Sequence, residues 1–357
     1  MKALVKTTAG PGGLELRELP DPFPGPGQVV MAVRAAALCG TDVHIAHGTF
    51  AVRPPLVPGH ELAGVVASLG PGVGGVRVGE RITTETDASV CGVCVYCRAG
   101  DQHLCAVRTG IGTTADGGFA ELVALPASGT HPLPAAVDFA TGALTEPLAV
   151  AVRAVIERAA VRAGEEVVVV GPGTIGLLVA QVARSCGANV VVAGLERHTD
   201  RFRLARALGI ERTAALDVPV ERDAAARGRD GLGVETAFEC SGAQYGIEAG
   251  LGLLRKGGRL VQVGFTGGER VSLDLDAIVN RELSIIASRG KRPTSFRIAL
   301  ELIASRQVVL EPLITHRYRL EAWEAAFAMA ARPGTKVVVE LDGTLGPANR
   351  SARRRQG

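Results

Sequence analysis

The hydrophobic pattern of the first 150 residues predicts short strands separated by tight turns. Apolar runs of about five to seven residues recur at Val29–Val33, Leu62–Ser68 and Ala120–Ala124. The segments between them are rich in glycine and proline, as at residues 22–27. Short strands spaced by such turns are typical of a small Greek-key or barrel-like domain. We therefore expect a β-rich domain over residues 1–150.

Beyond residue 150, continuous apolar runs alternate with stretches of helical periodicity. Val167–Val170 consists only of valine, and the apolar positions of Ile175–Ser185 recur with a helical period. The same pattern predicts strands at Val190–Ala193, Thr236–Glu239 and Arg259–Val263, and a helix at Phe202–Leu208. Strands that alternate with helices in this way form a parallel sheet covered on both faces. The sequence predicts an α/β domain over residues 151–289.

The pattern becomes mixed again from about residue 290. Two helices are predicted at Ser295–Ser305 and Glu321–Ala331, and a strand at Lys336–Leu341. We therefore expect the α/β domain to end near residue 290.

Charge along the chain argues against nucleic acid as a partner. The 357 residues carry a net charge of +3, but the last eleven, 347–357, contain four arginines and no acid. Without them, 35 basic and 36 acidic residues remain, a net charge of −1. A nucleic-acid-binding domain would concentrate basic residues on a folded face. We expect residues 347–357 to be a solvated, disordered tail.

Apolar stretches and cysteines favour a cytoplasmic protein. No run of about 20 uninterrupted apolar residues is present, as a membrane span would require. Val167–Ala183 is the most apolar segment, but three glycines and a proline interrupt it. No secretory signal is visible at the first residues. In a reducing compartment, the seven cysteines indicate metal ligands or buried thiols rather than disulfides.

Four of those cysteines form a compact motif. Cys91, Cys94, Cys97 and Cys105 follow the spacing C-x2-C-x2-C-x7-C. Zinc prefers four thiolates in a tetrahedron, and such short spacings let one turn present two of them. Because four cysteines close the shell, the metal would have a structural role in a lobe over about residues 88–108. An iron–sulfur cluster is the alternative, and His103 lies within the motif as a competing ligand.

A glycine-rich motif begins the α/β region. Gly171, Gly173, Thr174, Ile175 and Gly176 belong to a G-x-G-x-x-G sequence that follows the valine strand and opens a predicted helix. In that context the glycines let the backbone approach a pyrophosphate, and the helix N-terminus supplies amide donors. The motif predicts a dinucleotide site.

A second set of potential ligands is spread over the first 150 residues. Cys39, His60, Glu61 and Glu146 are each weak signals alone, but each lies in a longer motif. These motifs are Cys39-Gly40-Thr41-Asp42-Val43-His44, Gly59-His60-Glu61-Leu62-Ala63-Gly64 with Gly70 and Val73, and Thr145-Glu146-Pro147-Leu148-Ala149. Together with the four-cysteine lobe they carry a family resemblance that extends over about residues 1–345. The sequence resembles the zinc-dependent medium-chain dehydrogenases, in the sorbitol/threonine dehydrogenase branch.

The resemblance implies a fold and a metal site. The fold would be a Rossmann doubly wound parallel sheet plus a discontinuous, β-rich, GroES-like catalytic domain, formed by residues 1–150 and 290–346. Cys39, His60 and Glu146 would surround a catalytic zinc, with Glu61 either a ligand or bonded to the metal-bound water. Thr41 would take the proton of the alcohol, His44 would pass it to solvent, and Asp42 would orient a ligand.

The resemblance also suggests where the cofactor binds. NAD-dependent members usually carry an acid at the end of the second Rossmann strand, where this chain has Gly194. Glu196 could replace that acid, whereas Arg197, Arg201 and His198 could accept a 2′-phosphate. We favour NADP over NAD on this basis. Five further cofactor residues are placed by resemblance alone: Ser241, Val263, Gly264, Ser288 and Arg289. Cys240 and Cys186 are predicted to be core thiols.

These features predict an enzyme that transfers hydride between a secondary alcohol and a nicotinamide cofactor. The glutamate at position 146 resembles polyol and sugar dehydrogenases, so a polyol, sugar or cyclitol is the expected substrate, with a threonine-type amino alcohol as the second candidate. A zinc-free quinone or enone reductase would share the fold but lack the four ligands. A non-catalytic, zinc-stabilised NAD(P)-binding protein would bind the cofactor without turnover. A homodimer or homotetramer is expected, with Val271–Leu275 as an edge strand between copies.

Overall fold

The computed structural model describes residues 1–226 and 228–342. The basic tail predicted at 347–357 lies outside the described residues. The strands in the described residues are β1 (Lys2–Lys6), β2 (Leu14–Glu18), β3 (Gln28–Ala37), β4 (Glu61–Leu69), β5 (Arg81–Thr84), β6 (Asp87–Ser89), β7 (Thr109–Gly110), β8 (Leu122–Pro126), β9 (Thr130–Pro132), β10 (Glu166–Val170), β11 (Asn189–Gly194), β12 (Arg212–Ala215), β13 (Val234–Glu239), β14 (Leu254–Gln262), β15 (Ser284–Ala287), β16 (His316–Arg319) and β17 (Val337–Glu340). The helices are α1 (Gly40–Ala46), α2 (Val95–Arg98), α3 (Phe139–Ala143), α4 (Thr145–Val152), α5 (Thr174–Ser185), α6 (Thr199–Ala207), α7 (Pro219–Ala226), α8 (Gln244–Leu253), α9 (Leu275–Asn280), α10 (Pro293–Ala304) and α11 (Trp323–Ala330).

The chain divides into two compact units. Met1–Glu146 and the described residues from Ile314 onward form the first unit, and Pro147–Leu313 forms the second. The second boundary lies later than the position near 290 that the sequence suggested. The reason is that α10 is hydrogen-bonded within the second unit. The hydroxyls of Thr294 and Ser295, in the first turn of α10, donate to the carboxylate of Glu157.

The first unit is built around a largely antiparallel sheet. Its strand order is β16-β17-β3-β4-β5-β9, and β8 also pairs with β3. β17 returns from the end of the described chain to pair with β3, so this unit is discontinuous in sequence. Its core is aliphatic with few aromatics, as in the cluster around Met31, Leu62, Ile82 and Phe119. The β-rich fold predicted for this region is confirmed.

The second unit contains a parallel sheet of six strands in the order β12-β11-β10-β13-β14-β15. The chain runs from β10 outward to β12, then crosses back to β13 beside β10. This reversal creates a switch point between β10 and β13, where doubly wound sheets bind ligands at the carboxyl ends of their strands. The predicted α/β Rossmann arrangement is confirmed.

Residues 271–274 belong to no helix or strand of the single chain, and α9 begins at Leu275. The strand at 271–275 was expected to pair with a second copy, so it stays a prediction. Within one chain, the outer strands of the six-stranded sheet are β12 and β15. Among the helices of the described residues, none is both long and apolar enough to cross a bilayer.

Candidate functional site

Strand pairing in the first unit brings Cys39, His60 and Glu61 together. β3 and β4 are antiparallel, with Ala37 opposite Glu61. Cys39 therefore follows the end of β3 at the same edge where His60 and Glu61 begin β4. The ligand atoms of Cys39, His60 and Glu61 all lie within 4.8 Å of one another. Sulfur, imidazole nitrogen and carboxylate oxygen are the donors that zinc binds, so the set fits this metal.

Asp42 supports the same corner. It is fully buried, and its carboxylate accepts hydrogen bonds from the backbone N–H of Cys39 at 2.9 Å and of Gly59 at 3.2 Å. Its Oδ1 lies 3.8 Å from Nδ1 of His60. Burial raises the pKa of Asp42, and the nearby His60 works in the opposite direction. One carboxylate thus links the residues on both sides of the ligand cluster.

Three neighbouring groups act on the imidazole of His60. Burial by itself would lower the pKa of His60, but Asp42, Cys39 and Glu146 outweigh it and raise the pKa to about 10. The same groups would favour a bound cation. His60 Nδ1 is buried without a hydrogen-bond partner among the described residues. Both observations fit a metal at this place.

Glu146 belongs to the same electrostatic group. It lies in the first turn of α4 with 7% of its surface exposed, and its charge raises the pKa of both His60 and Glu61. The hydroxyl of the preceding Thr145 is buried without a hydrogen-bond partner among the described residues. Glu146 thus acts on His60 and Glu61 through its charge, but the compact group of ligand atoms contains only Cys39, His60 and Glu61.

Lys336 is a member of this site that the sequence did not indicate. It directly precedes β17, is 4% exposed, and its ammonium group donates to a carboxylate oxygen of Glu61 at 2.5 Å and to the carbonyl of Leu38 at 3.0 Å. Burial lowers the pKa of Lys336, but the charges of Glu61, Cys39 and Glu146 raise it by more than burial lowers it. The net shift of the pKa is therefore upward. Lys336 therefore stays charged and holds one oxygen of Glu61.

The predicted proton carriers lie on α1. The hydroxyl of Thr41 is 3.8 Å from the sulfur of Cys39. His44 is one turn further along the helix, exposed, with its Nδ1 3.0 Å from the hydroxyl of Thr49. Residues three apart share a helix face, so Thr41 and His44 lie on the side of α1 that runs from the ligand cluster toward solvent.

The four cysteines of the lobe also converge. Their sulfurs all lie within 4.8 Å of one another, and those of Cys91 and Cys97 are 3.9 Å apart. Tetrahedral zinc with bonds of about 2.3 Å places its sulfurs about 3.8 Å apart. Backbone N–H groups of Val93 and Cys94 lower the pKa of Cys91 to about 6, whereas burial and the side chain of Cys94 raise the pKa of Cys97 to about 12. His103 is not part of this group.

Loss of one sulfur should remove the lobe's metal and destabilise the protein. We expect Cys97→Ser to lower the zinc content by one ion per chain and the melting temperature by about 10 °C, because metal binding contributes directly to folding. Metal analysis and differential scanning calorimetry test this. Cys186→Ser, at a partly buried thiol outside the lobe, is the control. Unchanged zinc content in Cys97→Ser would contradict a four-thiolate site.

In the second unit, the glycine motif forms the turn from β10 into α5. Gly171 has φ of +99°, which favours glycine, and a Cβ on Gly176 would lie 2.0 Å from the carbonyl oxygen of Gly171. A Cβ on Gly173, the N-cap of α5, would meet no protein atom within 4 Å. The turn is thus tightly packed at Gly176, whereas the space beside Gly173 is free of protein atoms. Thr174 and Ile175 follow Gly173 as the first residues of α5. This open space fits a pyrophosphate at the helix N-terminus.

The end of β11 is closely packed at Gly194. A Cβ on Gly194 would lie 2.8 Å from Nδ1 of His198 and 2.9 Å from the ring of Pro172. His198 is held in place by the backbone N–H of Leu195, 3.0 Å away. The space that an aspartate at position 194 would need is therefore occupied.

The charged residues near Gly194 have different surroundings. Arg201 donates through Nε to the carbonyl of Pro172 at 2.9 Å, so it braces the glycine turn. Glu196 and Arg197 are exposed, and the backbone N–H of Glu196 donates to Asp217 at 2.8 Å. Burial and the charge of Arg197 lower the pKa of His198. Arg197 is thus exposed near Gly194, whereas Arg201 is bonded to the glycine turn.

The other predicted cofactor residues follow the carboxyl ends of three parallel strands. Ser241 follows β13, Val263 and Gly264 follow β14, and Ser288 and Arg289 follow β15. The hydroxyl of Ser288 is buried without a hydrogen-bond partner among the described residues, and Arg289 is exposed. Cys240 is partly buried, and burial together with Glu239 raises the pKa of its thiol well above the usual value. The edge is the same one that carries Gly171 and Gly194.

Family models match both units. The model of the alcohol dehydrogenase GroES-like domain matches residues 25–135, and that of the zinc-binding dehydrogenases matches residues 174–305.

Relatives match over nearly the whole chain. A sorbitol dehydrogenase of Halalkalibacterium halodurans is 39% identical over 341 residues, 96% of this chain and 99% of the relative. An L-threonine 3-dehydrogenase of Saccharopolyspora erythraea is 36% identical, covering 97% of this chain and all of the relative. The crystal structure of a zinc-binding dehydrogenase from Sinorhizobium meliloti 1021, bound to NADP, aligns with a TM-score of 0.87 and 33% identity over 95% of this chain and 99% of its own.

Proposed function

The chain belongs to the zinc-dependent medium-chain dehydrogenases of the alcohol dehydrogenase superfamily, and on that premise we propose that it oxidises a secondary alcohol of a polyol, sugar or cyclitol with NAD(P). The carrying observation is the site itself: Cys39, His60 and Glu61 converge, and the charge of Glu146 acts on His60 and Glu61. A carboxylate at position 146 resembles the polyol-oxidising members. The relationship to a sorbitol dehydrogenase supports the same substrate class.

In this proposal the residues of the first unit hold and tune the metal. Cys39, His60 and Glu146 would bind the zinc, with Glu61 as a ligand or as the partner of its water. These residues would hold the zinc, whose Lewis acidity would lower the pKa of the alcohol and so favour hydride transfer to the nicotinamide. Asp42 would fix the positions of Cys39 and His60. Lys336 would keep one oxygen of Glu61 engaged and so limit how that carboxylate can turn toward the metal.

Thr41 and His44 would carry the proton. Thr41 is next to Cys39 on α1, so its hydroxyl is near the place where an alcohol would bind the metal. His44 is exposed and shares the helix face, so it can exchange a proton with solvent. We assign the first unit as the catalytic domain with its zinc lobe, and the second as the dinucleotide-binding domain.

The substrate class is tested with a panel at fixed cofactor. Sorbitol, galactitol, arabitol and myo-inositol are compared with L-threonine, following NAD(P)H formation at 340 nm. We expect kcat/KM for the best polyol to exceed that for L-threonine by at least about tenfold. The reverse order would favour the amino alcohol, which the relationship to L-threonine 3-dehydrogenases keeps as the second candidate. Binding of cofactor without turnover of any alcohol would favour a non-catalytic protein.

Cofactor preference gives a separate prediction. Gly194 has no room for an acid, and Arg197 lies exposed nearby, so we expect NADPH to bind about tenfold more tightly than NADH. Fluorescence titration of the purified protein measures both affinities without a substrate. Arg197→Ala should remove the preference, and Arg203→Ala, at an exposed arginine of α6, should not. Tighter binding of NADH would instead assign the ribose hydroxyls to Glu196.

Assembly and location complete the proposal. A homodimer or homotetramer is supported by the outer strand β15, whose Ile285 is 45% exposed, and by Val279 of α9, 73% exposed. Light scattering of the purified protein measures the oligomeric state. A cytoplasmic location is supported by seven cysteines with no disulfide between them.

A further inference from the structure

A buried carboxylate, Glu239, ends β13 at the edge of the sheet where the cofactor loops begin. Its exposure is 0%, and the strand residues before it, Ala237 and Phe238, are also fully buried. Burying a carboxylate is costly unless its oxygens are satisfied. We therefore consider which groups donate hydrogen bonds to the Glu239 carboxylate.

The side chain of Glu239 gathers the loop that follows its own strand. One oxygen, Oε1, accepts from the backbone N–H groups of Ser241 at 2.8 Å and Gly242 at 3.1 Å, and from the hydroxyl of Ser241. The other, Oε2, accepts from the N–H of Gly242 at 2.9 Å and from the side-chain amide of Gln262 at 2.8 Å. These are neutral donors, most of them from one turn. The hydroxyl of Ser241 is thereby engaged within the protein.

The same residue also anchors the loop after β14. The main-chain carbonyl of Glu239 accepts from the N–H groups of Val263 and Gly264, each at 2.9 Å. The amide of Gln262 donates to the carbonyl of Gly264 at 2.8 Å as well as to Glu239. Glu239 and Gln262 thus form a bridge between two loops that belong to neighbouring strands.

These loops pack backbone against backbone. A Cβ on Gly264 would lie 2.4 Å from the nitrogen of Gly242 and 2.8 Å from Oε2 of Glu239. A Cβ on Gly171 would lie 2.8 Å from the nitrogen of Ser241. Without side chains between them, the loops after β10, β13 and β14 depend on hydrogen bonds for their relative positions.

The sheet order indicates which part of the cofactor these loops would meet. A dinucleotide crosses such a sheet at the switch point, with its adenosine ribose near the end of the second strand. That strand is β11, which lies on one side of β10, while β13 and β14 lie on the other. The loops held by Glu239 are therefore on the nicotinamide side.

We propose that Glu239 is a positioning residue for the nicotinamide half of the cofactor, because it fixes residues 240–242 and 263–264 to each other through its carboxylate and Gln262. The inference rests on the proposed dinucleotide function. It predicts a loss that is confined to one half of the ligand, which a general loss of stability would not produce.

Glu239→Gln is the first test. The new amide would face the amide of Gln262, and Gln262 can turn to accept it only by losing the carbonyl of Gly264. We expect the Kd of the preferred reduced cofactor to rise at least about tenfold by fluorescence titration. The Kd of an adenosine fragment, ADP or adenosine 2′,5′-bisphosphate, should change less than about twofold by calorimetry.

Two further variants keep the test decisive. Gln262→Met removes the bridge but leaves the carboxylate and its backbone donors, so it should weaken the reduced cofactor several-fold and spare the fragment, even if Glu239→Gln does not fold. Glu165→Gln is the matched control. Glu165 is a carboxylate with 8% side-chain exposure at the opposite end of the sheet, bonded to Thr236 and Arg259, and its loss should lower the melting temperature without changing either Kd.

The outcomes separate the inference from the function beneath it. If the wild-type protein binds both ligands and the Glu239 and Gln262 variants do the same, or lose both equally, the positioning role is wrong. If the wild-type protein binds neither ligand, the dinucleotide function itself is wrong and the inference falls with it.

Discussion

Replacing His60 by alanine is expected to abolish alcohol oxidation while leaving cofactor binding intact. His60 contributes one of the three ligand atoms that converge at the edge of β3 and β4. Its replacement by alanine leaves only the sulfur of Cys39 and the carboxylate of Glu61 in that group. Because the metal contributes several kcal/mol to stabilising the developing alkoxide, we expect kcat/KM to fall by about 10³-fold or more. Metal analysis should show one zinc per chain instead of two.

The control for this variant removes another imidazole of the same unit. His131 bonds to Glu85 at 2.8 Å, away from the ligand cluster. His131→Ala should cost stability but keep both zinc ions and most of the activity. Retention of activity and of both zinc ions in His60→Ala would show that His60 is not a ligand.

Closing the open side of the glycine turn is expected to eliminate cofactor binding. A Cβ on Gly173 would meet no protein atom within 4 Å, and its φ of −70° is available to any residue. Gly173→Val should therefore fold normally and fill only the space that a pyrophosphate would take. We expect the Kd of NAD(P)H to rise about 100-fold, equivalent to about 2.7 kcal/mol. Fluorescence titration and the melting temperature measure the two effects.

Gly252→Val is the matched substitution. Gly252 lies in α8, and a Cβ there also meets nothing within 4 Å. It should change neither cofactor affinity nor activity. Equal cofactor affinity in Gly173→Val and the wild-type protein would place the pyrophosphate elsewhere.

Much of the fold was predictable because the spacing of apolar residues along the chain differs between strands and helices. The run of valines became β10, and the helical period after the glycines became α5. The strand at 271–275 stays a prediction, because its expected hydrogen-bonding partner is a second copy of the chain. The boundary near 290 shifted to Ile314 because α10 is fixed by bonds to residues far away in sequence.

The site was predictable only where a motif marked it. The four cysteines and the glycine turn carry their chemistry in their spacing, and Cys39, His60, Glu61 and Glu146 were found through motifs that resemble a family. Lys336 had no such mark, because a lysine before an apolar strand is common and its contact with Glu61 is 275 residues away in sequence. Glu239 offered a faint signal, an acid at the end of a buried strand, but its bridge between two loops required the structure.

The most direct test of a zinc-dependent alcohol dehydrogenase is to remove and restore the catalytic metal in the wild-type protein. The protein is dialysed against a chelator such as dipicolinate until one zinc per chain remains. Oxidation of the best polyol is then measured before and after zinc is added back. The account predicts loss of at least about 99% of the activity and its recovery with one equivalent of zinc. Full polyol oxidation by the one-zinc protein would contradict it.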